Sequence, residues 1–132
     1  MFIHGGGFKT GSKEQMSAYA ELYAQGGFVT ASINYRLTPN HVFPAAINDA
    51  KDALQWMKTQ ADKYGYDANK IVLVGYSAGG TLSLNLALDN SLNVAAAVSA
   101  AGATDIGLLI LTAPRPQLRK DLATYMLSLI HI

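Results

Sequence analysis

Five residues constrain this chain more than any others: Gly75-Tyr76-Ser77-Ala78-Gly79. They come after the apolar run Ile71-Val72-Leu73-Val74 and lead into a stretch, Ser77 to about Leu88, that reads as a helix. The apolar run reads as a parallel strand covered on both faces. A serine between strand and helix, with glycine two residues before and two after, is pinned in a sharp turn. Strand and helix approach closely there, so Gly75 and Gly79 must stay small. Ser77 Oγ would then project from the carboxyl edge of a sheet, with the N–H of Ala78 facing the same point. The plain alternative is a glycine-rich turn with a passive serine.

A second glycine motif stands at the front. Phe2-Ile3-His4 reads as the end of a strand, and His4-Gly5-Gly6-Gly7-Phe8 comes directly after it. Three glycines let the backbone bend and present N–H groups to a developing oxyanion. Such donors contribute about 3–4 kcal/mol each at a transition state. The alternatives are a flexible loop or a phosphate cradle. A dinucleotide fingerprint needs G-x-G-x-x-G, and Gly5, Gly7 and Gly11 carry one residue too many. A P-loop needs Lys after its last glycine, and Gly80 is succeeded by Thr81-Leu82. Both phosphate readings fail on those residues.

Between and beyond the motifs, strands alternate with helices, which implies an α/β fold with a mostly parallel sheet flanked by helices. A first helix is expected from about Ser12 to Gln25. Ser12 and Gln15 would form a capping box, and Met16, Tyr19, Leu22 and Tyr23 an apolar face. Phe28 to Tyr35 is expected as a strand. A second helix should start at Pro44, carry Ile47, Ala50, Leu54, Met57 and Ala61 on one stripe, and close at Gly65. Val94 to Ser99 is expected as a further strand. Beyond Thr104 the periodicity is lost, and Pro114 and Pro116 interrupt the remaining chain. Asp121 to Ile132 reads as a short helix.

Composition narrows the function classes. With 132 residues, the chain suits one compact domain. A net charge of +1 with only 14% charged residues argues against a disordered tail or a nucleic-acid binder. The absence of cysteine removes disulfides, thiolate metal sites and a cysteine nucleophile. Histidines at 4, 41 and 131 have no ligand spacing, so no metal and no cofactor is expected. Leu92 to Ala113 is apolar but carries Asp105 mid-segment, and a carboxylate at the bilayer centre costs about 2.5 kcal/mol or more. That stretch reads as buried strand plus loop, not a membrane span. Nothing in the sequence speaks to oligomeric state. Met1-Phe2-Ile3 runs into His4 without the basic and apolar regions of a signal peptide.

Taken together, the motifs resemble the α/β-hydrolase superfamily. Within it the chain is similar to hormone-sensitive-lipase-like and bacterial feruloyl-esterase-like carboxylesterases. The resemblance rests on His4 to Gly7, on Tyr35-Arg36-Leu37-Thr38-Pro39 with Phe43-Pro44-Ala45-Ala46 and Asp49, and on Gly75 to Gly80. Tyr76 leans toward the feruloyl-esterase-like branch. The resemblance implies hydrolysis of a small-molecule ester through an acyl-enzyme, with Ser77 as nucleophile. It implies an oxyanion hole of Gly6, Gly7 and Ala78 N–H groups. It makes His4 structural, with Gly5, Gly75 and Gly79 supporting the two motifs. Tyr35-Arg36-Leu37 would brace the loop after its strand. Arg36 would be a buried ion-pair partner, with Asp49 a possible counterpart or a solvated helix-start residue.

The same resemblance leaves the triad unfinished. On this fold the order is Ser, then Asp or Glu, then His. After Ser77 the chain holds Asp89, Asp105, Asp121 and His131. The family's acid and histidine lie further on. Asp105 is expected in a non-catalytic turn, Asp89 solvated, Asp121 in an unstructured part and His131 in an apolar tail. His41 precedes Ser77 and reads as a loop residue. Residues 1–105 are therefore expected to be the N-terminal part of a catalytic domain, truncated at both ends. Residues 106–132 are poorly defined, with 127–132 a possible non-native tail. The chain alone is expected to be an inactive fragment; the alternative is a non-catalytic or small-molecule-binding α/β domain.

Overall fold

The computed structural model describes residues 1–112 and 114–126, without the side chains of residues 107, 110 and 111. His131 and the tail expected at 127–132 lie outside the described residues. The sheet is built on β3 (Val72–Tyr76). It pairs in parallel with β1 (Phe2–Ile3) on one side and β4 (Ala96–Ala100) on the other. β2 (Ser32–Ile33) pairs with the outer side of β1, so the order is β2-β1-β3-β4. Strand alternation sets the faces. Ile3, Ile33, Gly75 and Ser99 are in register on one face, and Phe2, Ser32, Val74 and Val98 on the other.

The core lies on the Ile3 face. Helix α2 (Ala45–Thr59) turns Ala46, Ala50, Leu54 and Met57 inward; Ala50, Leu54 and Met57 belong to the expected stripe, whereas Ile47 is only half-buried and Ala46 takes the inner position instead. Helix α4 (Ala78–Leu88) is buried along its first turns, with Leu82 and Leu86 in one cluster with Ile3, Leu54 and Leu73. The expected second helix is in fact interrupted at Gln60. A short α3 (Ala61–Tyr64) comes next, and Gly65 ends it at φ 71 in the left-handed region that glycine tolerates. Pro44 stands just before α2, not inside its first turn.

The other face corrects the expectation that β3 is covered on both sides. Val72 is 37% exposed, Tyr76 57% and Val98 52%. Among the described residues, α1 (Ser17–Gln25) meets this face through Tyr23, whose ring stands edge-on to Phe2 with centroids 5.6 Å apart. The apolar side expected for α1 is consequently open: Met16 is buried, but Tyr19, Leu22 and Tyr23 are exposed. A 3-10 turn (Lys13–Met16) precedes α1. The capping box does not form, because Ser12 makes no side-chain cap bond and only its carbonyl accepts from Gln15 N–H, at 3.1 Å.

The strand expected over Phe28–Tyr35 shrinks to Ser32–Ile33, because its partner β1 offers only Phe2 and Ile3 for pairing. β4 is half exposed, in contrast to the buried strand expected there. Two helices occupy the region whose sequence shows no periodicity, α5 (Ile106–Thr112) and α6 (Pro116–Tyr125). Pro116 opens α6, since its missing N–H is not needed in a first turn. Leu122 and Tyr125 bury the inner side of α6. No helix among the described residues is long and apolar enough to cross a membrane.

One topological feature positions the site. From β1 the chain crosses to β2 on one side, and after β2 it returns to β3 on the other. The order therefore reverses between β1 and β3. In open parallel sheets, ligands bind at the carboxyl ends of strands at such a reversal. The two glycine motifs leave β1 and β3 at that end.

Candidate active site

Ser77 adopts φ 51 and ψ −118, a strained conformation for a residue with a side chain. Close packing holds it there. A Cβ on Gly75 would stand 2.1 Å from Gly79 O, and a Cβ on Gly79 would stand 2.1 Å from Ile3 O and 2.5 Å from His4 O. Glycine at both positions thus lets the turn close on itself and lets α4 press against β1. Ser77 N–H donates to Ala100 O at 2.8 Å, and Ser77 O accepts from Thr81 N–H at 3.1 Å. The side chain of Ser77 is half-buried at the start of α4.

The loop after β1 lies against this turn. A Cβ on Gly5 would meet Tyr76 O at 3.0 Å and Ser77 Cβ at 3.2 Å. Gly6 and Gly7 have φ 108 and 61, and Phe8 continues at 61. Gly6 O accepts from the N–H groups of Lys9 and Thr10, each at 3.0 Å. A trans peptide points its N–H opposite its C=O. Tying Gly6 O to residues 9 and 10 therefore turns the Gly7 N–H the other way. Among the described residues, no acceptor bonds the Gly6 or Gly7 N–H. The Ala78 N–H precedes the α4 ladder and is likewise unused.

His4 is fully buried. Its ring stacks on Tyr35, centroids 4.2 Å apart, and Nδ1 donates to Gly5 O at 2.7 Å. Nε2 is buried without a partner. Burial pushes the imidazole below its ordinary value, so the neutral form is favoured. The Tyr35 hydroxyl donates to His4 O at 2.9 Å and to Gly5 O at 3.2 Å. The sequence places Tyr35 only in the brace of its own loop. Its bonds to the glycine loop depend on β1 and β2 being neighbours and have no local signal.

Arg36 corrects a second expectation. It grips Asp49, with Nη2 to Oδ1 at 2.7 Å and Nε to both carboxylate oxygens at 2.9 Å. The pair is not buried: the side chains are 50% and 19% exposed. Arg36 N–H also donates to Asp49 Oδ2 at 2.7 Å. Partial burial of Asp49 opposes its ionisation, but the Arg36 bonds outweigh it and hold the carboxyl below its ordinary value. Asp49 is thus the partner and not a solvated residue.

The remaining acids are engaged elsewhere. Asp105 accepts from Leu108 N–H at 2.8 Å and caps α5. Asp89 is not simply solvated: it pairs with Lys51 at 3.0 Å and accepts from Ser91. Asp121 lies on α6, not in an unstructured part, and reaches Lys9 at 2.9 Å. His41 is exposed in its loop. Among the described residues, neither histidine hydrogen-bonds Ser77. A cavity of about 450 Å³ opens beside the two motifs, lined by Gly5, Gly6, Gln15, Met16, Tyr19 and Tyr76 among others.

The BD-FAE family profile matches residues 1–120. An ethyl acetate hydrolase of Pseudomonas putida is 39% identical over 88 residues, covering 66% of this chain and 28% of that protein. An arylesterase of Saccharolobus solfataricus is 37% identical over 102 residues, covering 74% of this chain and 33% of that protein. Among solved structures, an arylesterase superposes with a TM-score of 0.73 at 35% identity, over 82% of this chain and 37% of that one. An esterase of the archaeon Pyrobaculum calidifontis gives 0.71 at 37% identity, over 80% and 36%. The chain thus spans about a third of the length of these relatives. A match over residues 1–120, with esterase relatives at both the sequence and the structural level, means that the chain belongs to the BD-FAE family and carries part of an α/β-hydrolase fold.

Proposed function

We propose that the full-length protein is a serine carboxylic-ester hydrolase, and that this segment supplies its nucleophile and oxyanion donors. Ser77 Oγ attacks the ester carbonyl while a histidine accepts its proton. The N–H groups of Gly6, Gly7 and Ala78 hold the tetrahedral oxyanion. The intermediate collapses, the histidine returns the proton to the leaving alcohol, and the acyl group stays on Ser77. Water, activated by the same histidine, then attacks the acyl-serine and releases the acid. The observation that carries this reading is the pair of unbonded N–H groups at Gly6 and Gly7, turned away from tied carbonyls, beside a serine held at φ 51. Preorganised donors of this kind contribute about 3–4 kcal/mol each to transition-state stabilisation.

On this reading the histidine and the acid of the triad are not residues of this chain, since Asp89, Asp105 and Asp121 are each bonded elsewhere and neither described histidine bonds Ser77. Since a triad acts as a unit, a chain without them retains only residual catalysis. The 132-residue chain alone is accordingly inactive toward esters. The test uses both forms. Full-length protein should turn over a p-nitrophenyl ester and lose this with Ser77→Ala, while the isolated chain should show no multiple turnover. Retained activity in the Ser77→Ala variant would sink the assignment.

A further inference from the structure

We infer that Tyr35 is a positioning residue for the oxyanion site, acting through the Gly5 peptide. This rests on the function proposed above. In a strand, successive carbonyls point in opposite directions. At the end of β1 they do not: His4 O and Gly5 O converge on one donor, the Tyr35 hydroxyl, at 2.9 and 3.2 Å. Two carbonyl dipoles aimed at the same point repel, and a shared proton is what stabilises the arrangement. His4 Nδ1 adds a second donor to Gly5 O at 2.7 Å.

The consequence lies on the far side of the peptide. Gly5 O belongs to the same trans amide as the Gly6 N–H, so fixing the carbonyl toward Tyr35 fixes the N–H away from it. Gly5 itself packs on Ser77, within 3.2 Å of Ser77 Cβ for an added Cβ. Tyr35 therefore sets the aim of a donor that it never touches. The hydroxyl is buried with its ring flat on His4. Burial pushes the phenol well above its ordinary value, so it remains a donor at every working pH. Glycine at 6 has no intrinsic preference that would hold this orientation, since φ 108 is one of many conformations open to it.

The test uses the full-length protein with Tyr35→Phe, which keeps the ring stack and removes the hydroxyl. A misaimed donor should cost the transition state more than the bound ester. We expect kcat to fall about tenfold with KM within about twofold. Binding of a trifluoromethyl ketone, which forms a tetrahedral adduct, should weaken by the same factor. An unchanged kcat would overturn the inference, as would equal losses in folding and in activity with no split between kcat and KM. Should that variant not fold, 4-fluorophenylalanine incorporated in place of Tyr35 fills nearly the same volume and removes the same donor to His4 O and Gly5 O. It should show the same split, and an unchanged kcat there would overturn the inference equally. Ser77→Ala run in parallel separates the two readings. If it keeps turnover, the proposed function falls and this inference with it. If it is dead while Tyr35→Phe keeps full kcat, only the role of Tyr35 falls.

Discussion

Gly79 lies so close to Ile3 that a Cβ added to it would stand 2.1 Å from the Ile3 carbonyl oxygen. This contact joins the start of α4 to β1, and it brings the turn at Ser77 beside the loop at Gly5. Gly79→Ala and Gly75→Ala should each destabilise by about 1–3 kcal/mol or more, because the atoms in the way are backbone. Urea unfolding of the full-length protein measures it. Wild-type midpoints for both variants would show that the turn has room to spare.

Gly6 and Gly7 should respond differently to alanine. A Cβ on Gly6 would meet Thr10 O at 2.0 Å, whereas one on Gly7 meets nothing within 4 Å. Gly7→Ala should cost only its left-handed φ, about 1–2 kcal/mol. Gly6→Ala should displace the loop and remove most ester turnover. Comparing kcat and melting temperature for the two variants checks the order; equal effects would contradict it.

His4 makes stability depend on pH. Its folded value lies below the ordinary 6.5, so between the two the unfolded chain binds more protons than the folded one. Stability is therefore fully present above about 6.5 and declines as pH falls through that region. His4→Asn should flatten the decline in denaturant midpoints taken from about pH 7.5 down to about 5. Parallel curves for wild type and variant would refute the assignment to His4.

Tyr125 ties α6 to the glycine loop. Its ring stacks on Phe8 with centroids 3.8 Å apart and stands edge-on to Phe43 at 5.8 Å, while its carbonyl accepts from Phe43 N–H at 2.7 Å. Tyr125→Ala should cost about 3–5 kcal/mol, as large aromatic truncations do, and Tyr125→Phe much less. Thermal unfolding of both variants reads the difference, and a small loss in Tyr125→Ala would mean that α6 is dispensable to the loop.

The local features were legible because their causes are local. The turn at Ser77 arises from glycines two residues away, and the stripe of Ala50, Leu54 and Met57 from helical spacing. The early end of pairing within Phe28–Tyr35 was not legible, since pairing length depends on β1. Likewise a helix was expected from Asp121, but the start of α6 at Pro116 was hidden, because proline breaks a helix from inside yet suits its first turn.

The amino-acid order by itself determined the strand–glycine–serine–glycine–helix turn, the glycine loop and the alternation that makes a parallel sheet. Each depends on residues a few positions apart. Tertiary structure alone decided that Tyr35 reaches the carbonyls of His4 and Gly5, that Arg36 pairs with Asp49 at the surface, and that one face of β3 stays open. Those outcomes are distances between segments far apart in the chain: pairing of β1 with β2 brings Tyr35 to the glycine loop, and packing α2 and α4 on one face of the sheet brings Asp49 to Arg36 and leaves the other face open.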